Sequence, residues 1–116
     1  MKRKSKLVEF YSCAVAGVKY ADVQLSNVAA GDKLQLVWER ANPVDPMAIR
    51  VQTYDGVKLG YIPRSDTALL HKYRTCGIKI TTIVRGYFPA NPSWEQLYIR
   101  CLAPSVFNTK ATEVEL

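Results

Sequence analysis

Hydrophobic and polar positions alternate most cleanly between Lys33 and Glu39: Leu34, Leu36 and Trp38 fall on one side, Lys33, Gln35 and Glu39 on the other. A period of two predicts a strand with one buried face. The pattern resumes from Ala48 to Tyr54, where Ile49, Val51 and Thr53 oppose Arg50, Gln52 and Tyr54. Asp55-Gly56 then predicts a hairpin turn, and Val57 to Ile62 its returning strand, stopped by Pro63. Leu7 to Val15 predicts a first strand with Val8, Phe10 and Ser12 on one face, ending in a bend at Ala16-Gly17. Residues 22–25 read as a short extended piece. Ile78 to Tyr87 is rich in β-branched residues, and Leu97 to Leu102 supplies the last apolar run, so both are expected as strands. One helix is expected, from about Asp66 to Tyr73, with Leu69, Leu70 and Tyr73 as its apolar side. Ser65 or Asp66 would cap it and Cys76-Gly77 would end it. Six short strands and a short helix predict a mainly β fold, a small closed or partly open barrel. Closure also removes the free strand edges on which chains aggregate.

The connection Glu39-Arg40-Ala41-Asn42-Pro43-Val44-Asp45-Pro46-Met47 is unlike the others. Pro43 and Pro46 each fix φ near about −65° and offer no amide proton, and each pushes the residue before it towards extended geometry. The loop is therefore stiff and carries one amide side chain, Asn42, and one carboxylate, Asp45. Stiff loops on a β scaffold are where binding residues concentrate. Two readings stand side by side. As turn residues, Asn42 and Asp45 bond neighbouring backbone amides. As a site, a carboxylate repels an internal phosphate but accepts a hydrogen bond from a free sugar hydroxyl, which selects the end of a nucleic-acid strand. Lys19, Arg40 and Arg64 would offset phosphates, while Tyr20, Tyr61 and Trp94 would offer π-faces to unstacked bases. The same tyrosines serve equally as packing with a wet hydroxyl. Trp38, on the apolar side of its strand, is assigned to the core.

At 116 residues, 48% hydrophobic and 22% charged, the chain has the size and composition of one globular domain. Its formal charge of +6 suggests an anionic partner. Part of that excess sits in a loose basic tail, residues 1–6, with Lys2, Arg3, Lys4 and Lys6, and Glu113 and Glu115 fall in a second tail, residues 105–116. Residues 7–112 hold twelve basic and eight acidic side chains, a net +4, which serves solubility as readily as binding. Cys13, Cys76 and Cys101 are odd in number and far apart, the pattern of reduced, buried thiols and not of a disulfide framework or zinc site. His71 is the single histidine, placed late in the expected helix where a cation favours the dipole. No metal site or cofactor is expected. Asp32 and Asp55 fall in turns, so a nuclease built on Asp22, Asp32, Asp45 and Asp55 is disfavoured, and no phosphate loop or nucleophile elbow is present. With no apolar run of about 18 residues and with Glu9 interrupting the apolar start, neither a membrane span nor a signal peptide is expected. The chain reads as a cytoplasmic protein that is not an enzyme.

Three segments together carry a family resemblance: Gly17-Val18-Lys19-Tyr20; Asn42-Pro43-Val44-Asp45-Pro46-Met47-Ala48-Ile49-Arg50-Val51; and Asp55-Gly56-Val57-Lys58-Leu59-Gly60-Tyr61-Ile62-Pro63-Arg64. Their order and spacing, from about Phe10 to Leu102 within a body of residues 7–104, resemble the HIRAN domain. That family occurs fused to helicase-like remodellers and as stand-alone proteins. The resemblance implies an OB-like barrel with an added helix. It also implies binding of single-stranded DNA with a grip on the free 3′-hydroxyl end, in DNA repair or replication-fork processing, beside a repair or helicase protein. By the same resemblance Lys19 would meet a phosphate, Tyr20 would stack on a base, and Asn42 and Asp45 would form the end-binding corner. Tyr61 and Arg64 match the strand end and its basic neighbour, and Trp94 takes the place of a later aromatic. The chain departs from the family where Ala21 replaces a second aromatic, Val44 a stacking tyrosine and Ala41 an amide-bearing residue. Stacking contributes roughly 1–3 kcal/mol per base, so these losses favour a rival reading, a protein-interaction adaptor on the same barrel.

Overall fold

The strands form where those patterns lie. In the computed structural model, which describes residues 6–21 and 25–105, six strands make one antiparallel sheet: β1 (Leu7–Ala14), β2 (Lys33–Trp38), β3 (Ile49–Thr53), β4 (Lys58–Tyr61), β5 (Thr81–Tyr87) and β6 (Leu97–Pro104). Their order is β1-β6-β5-β2-β3-β4. One α-helix, α1 (Thr67–Thr75), joins β4 to β5, and short 3-10 turns cover Val18–Tyr20, Arg64–Asp66 and Ser93–Glu95. The fold is mainly β, as the alternation predicts. Residues 1–5 of the basic tail, residues 106–116 of the second tail and residues 22–24 of the short extended piece lie outside the described residues.

The sheet curls until its two outer strands nearly meet. Just past β1, Ala16 donates to the Tyr61 carbonyl at 2.8 Å and accepts from the Tyr61 amide at 2.9 Å, one antiparallel bridge between the ends of the sheet. The barrel is thus partly open, latched at one point. Gly60 makes that approach possible: a Cβ there would collide with the Ala16 carbonyl oxygen and the Val15 side chain. Bulges in β1, between β3 and β4, and in β5 add the twist that curling needs. Inside lie Val15, Ile49, Val51, Leu59, Leu70, Leu97 and Ile99, all fully buried. Leu34 is buried, and Leu36 and Trp38 pack against this core, as the β2 alternation predicts.

Three local expectations are corrected. The bulge between Glu9 and Tyr11 breaks the alternation of β1, so Phe10 and Tyr11 both pack on the core while Val8 is exposed. In α1, Leu70 is fully buried and Tyr73 stacks on Phe10 at 4.0 Å, but Leu69 points outward. Leu69 stands at the margin of the apolar stripe, about 100° of helix rotation from the fully buried Leu70. Neither Ser65 nor Asp66 caps the helix. Asp66 instead accepts a 2.6 Å hydrogen bond from the Tyr11 hydroxyl, pinning the start of α1 to β1. Burial, and then this bond to Asp66, push the Tyr11 hydroxyl well above its usual range. At the other end Gly77, at φ 75°, donates to the Arg74 carbonyl, so Cys76-Gly77 does end the helix. His71 lies mid-helix, ahead of the last-turn Lys72 and Arg74, and it ties α1 to the proline loop instead: its Nε2 donates to the Met47 carbonyl at 2.9 Å and its ring tilts against Trp38. Cys101 is buried and Cys13 half-buried, and burial pushes both thiols up to about 11, whereas Cys76 is exposed.

Candidate nucleic-acid interface

The proline loop is built from the two turn residues the sequence marks. The Asn42 side-chain oxygen accepts from the amides of Val44 at 2.9 Å and Asp45 at 3.0 Å. One Asp45 oxygen accepts from the Met47 amide at 2.9 Å. Both therefore act as turn formers. The Asp45 carboxylate is not used up by this. Its second oxygen meets Arg64 Nε at 3.3 Å, and a carboxylate offers about four acceptor positions in all. The Asp45 side chain keeps 20% of its surface exposed, and that of Arg64 keeps 73%.

These residues border one open concavity of about 340 Å³, walled by Asn42, Val44 and Asp45 from the loop, Tyr61 and Ile62 from the end of β4, Arg64, and Ala16 from the latch. Of the seven predicted site residues, Asn42, Asp45, Tyr61 and Arg64 meet there. Lys19 and Tyr20 stand on the 3-10 turn beside it, which follows Ala16 and lies against β4. Gly17 starts that turn at φ 72°, a backbone conformation that favours glycine. Tyr20 is 68% exposed, with Lys19 Nζ 5.1 Å from its ring centre. Trp94, also 68% exposed, sits on the 3-10 turn Ser93–Glu95, next to that of Lys19 and Tyr20, and does not line the concavity. Arg40 lies on the far side of Asn42, in a shallow groove with Trp38, Glu39 and Arg74.

Tyr61 is a wall more than a free platform. Its hydroxyl donates to Glu39 at 2.8 Å, and Lys58 Nζ lies 5.0 Å from its ring centre. Burial and the Glu39 carboxylate raise its pKa. Glu39 is the residue that pattern reading missed. It accepts from Asn42 Nδ2 at 3.0 Å and from Tyr61, and faces Arg50 at 3.5 Å. Burial raises the carboxyl's pKa, but the two hydrogen bonds and the charges of Arg50 and Lys58 outweigh that and hold it below the ordinary value. No cluster of three or more His, Cys, Asp or Glu able to hold a metal occurs among the described residues.

A model of the HIRAN domain matches residues 8–104. The chain belongs to the HIRAN domain family. A crystal structure of a protein from Lactobacillus plantarum resembles this HIRAN fold with a TM-score of 0.72 and 24% identity, over 86% of this chain and 97% of the other. The crystal structure of the HIRAN domain of human HLTF resembles it with a TM-score of 0.67 and 22% identity, over 90% of this chain and 85% of the other. Likeness at these identities shows the fold, which is OB-like as expected. Comparison with curated proteins finds no match. HIRAN membership points to DNA binding. Among the described residues no helix is long and apolar enough to cross a membrane.

Proposed function

We propose that this HIRAN domain is a non-catalytic module that binds single-stranded DNA at a free 3′-hydroxyl end and serves DNA repair or replication-fork processing. The body, residues 7–104, carries the grip and the two tails flank it. The supporting observation is the Asp45 carboxylate: it is fixed by the proline loop, borders an open concavity, and has acceptor capacity left after Met47 and Arg64. A terminal hydroxyl satisfies that capacity, whereas the phosphate of a continuing strand is repelled by it. Arg64 and Lys19 neutralise the last phosphates, Tyr20 and Trp94 present π-faces, and Asn42 and Tyr61 shape the pocket. The domain acts in the cytoplasm, delivering the captured end to a repair or helicase protein.

Titration with fluorescent oligonucleotides tests this. Binding is expected to fall with salt and to be at least about tenfold tighter for a 3′-hydroxyl than for a 3′-phosphate. Asp45→Ala removes that preference. Tyr20→Ala weakens all sequences alike, by roughly 1–3 kcal/mol. Equal affinity for both ends in the wild-type protein sinks the end-recognition claim and leaves general single-strand binding. One observation favours a second reading: Val44, at the rim of the concavity, is 80% exposed. An apolar side chain there suits a protein ligand, and absence of oligonucleotide binding at low salt would favour the adaptor role.

A further inference from the structure

The ladder between β2 and β5 stops early. Lys33 pairs with Ile83 and Leu34 with Thr82, and no further pair joins the two strands. The sequence expects a strand from Ile78, yet β5 begins at Thr81, and the Ile78 amide turns instead to the Tyr73 carbonyl at 3.0 Å. Beyond Leu34, β2 and residues 78–80 therefore diverge. A cleft of about 190 Å³ opens between them, bordered by Leu36, Trp38, Ile78 and Ile80, with Tyr54 and Arg74 at its rim.

Two features show that this cleft meets the hydrogen-bonding edge of β2 and not just a face. First, Gln35 borders it together with Leu34, Leu36 and Trp38. Successive strand residues point to opposite faces, so a cleft that touches both sets lies at the strand's side. Second, the ladder fixes which backbone groups point there. Glu39 donates to the Ala48 carbonyl, which turns the odd-numbered amides of β2 towards β3. By the alternation of antiparallel pairing, the N–H and C=O of Leu36 and Trp38 point the other way, into the cleft, where the opposite segment offers them no partner.

We propose that this cleft is a second binding site, separate from the pocket at Asp45, which takes an extended peptide of another protein as an added strand along Leu36–Trp38. Backbone bonds to Leu36 and Trp38 give affinity, and the apolar floor of Leu36, Ile78 and Ile80 receives every second side chain. The bordering charge selects the chemistry of the peptide. Arg74 lies 4.8 Å over the Trp38 ring at the rim, and Arg40 follows in the adjoining groove, whose one acid, Glu39, is already engaged by Asn42, Tyr61 and Arg50. Among the residues bordering the cleft itself no acid offsets Arg74. The occupant is thus an alternating apolar and acidic segment. Ile78 and Ile80 face β2 across the cleft, and this second wall favours a single extended chain over the broad edge of a second sheet.

The test uses the full chain and a capped peptide of about eight residues alternating Val and Glu, followed by amide exchange and chemical-shift mapping. In the free protein the Leu36 and Trp38 amides are expected to exchange freely. The peptide should protect both and shift the signals of Ile78 and Ile80. Arg74→Glu, on the exposed side of α1, should weaken binding at least tenfold. Replacing every Glu of the peptide by Lys should do the same. Leu36→Pro should abolish binding by removing one edge amide, and Arg74→Glu supplies the answer if that variant does not fold. Protection that leaves Leu36 and Trp38 unmoved overturns the proposal. So does protection in the free protein: independent of concentration, it means that the chain covers its own edge, and dependent on concentration, that a second copy does.

Discussion

Glu39 accepts hydrogen bonds from Asn42 and Tyr61 and faces Arg50, so one carboxylate ties the proline loop to β3 and β4. In the alternation it reads as an outward polar partner of Lys33 and Gln35. The residues that give it a role lie three and twenty-two positions away, and their meeting depends on the curl of the sheet. Asn42 and Asp45 were legible because their work is local: a proline follows each, and each bonds an amide two residues on. The geometry confirms their turn-forming role and leaves the Asp45 carboxylate additional acceptor capacity. The Glu39 carboxyl, ordinarily near 4.5, is held lower in the folded state. The unfolded chain takes up the proton first as pH falls, so the stability Glu39 contributes is complete above about 4.5 and is lost as pH drops through the lower folded value. Glu39→Gln keeps the shape without that titration. It should cost about 1–2 kcal/mol at neutral pH and flatten the acid limb of urea midpoint against pH. Equal slopes in the two proteins would show that the carboxylate is not the hub.

The elements differ in how far sequence pattern reaches them. β2 and β3 were readable in extent, but the facing of β3 fails past Val51: at its bulge Gln52, expected on the polar side, is buried and donates to Gln35 at 2.9 Å, while Thr53 is only half-buried. β1 was readable in extent but not in facing, because its bulge moves Phe10 and Tyr11 onto the core together. The start of β5 was not readable, since Ile78 and Ile80 have strand-like side chains but no strand beside them. In α1 the apolar pair Leu69-Leu70 leaves the buried member open in the sequence, since both lie within reach of Tyr73, and the packing decides it: Leu70 is fully buried and Leu69 exposed. Leu70→Ala should therefore cost about 2–5 kcal/mol, and Leu69→Ala stay within about 0.5, as read from urea denaturation. A similar loss at both would mean that the helix is rotated from the position described. Gly60 gives no signal of its purpose in a strand sequence, because the contact it permits is with Ala16, across the barrel. Gly60→Ala should cost about 1–3 kcal/mol through overpacking, with faster amide exchange at Ala16 and Tyr61.

For the whole molecule, charge was legible as a sum and not as a place. The net +6 is spread along the chain, and its placement appears only in the fold: Arg64 borders the concavity, Lys19 stands on the turn beside it, and Arg40 lies in the adjoining groove. Each phosphate contact on a single strand adds about 0.7 to the steepness of log K against log salt. The two contacts proposed, Lys19 and Arg64, predict a slope of about −1.4, and Arg64→Ala should lower its magnitude by about 0.7, measured on a short oligonucleotide. An unchanged slope would place Arg64 outside the footprint. The bridge between Ala16 and Tyr61 forms part of the same wall that a ligand would touch. Breathing of the barrel and residence of whatever it holds are then governed by one clasp. A strand bound to the shut form alone would add about 2.7 kcal/mol to its stability at a hundredfold excess over Kd. Loosening the clasp at Gly60 would be felt as quicker escape of a captured end, with its arrival little changed.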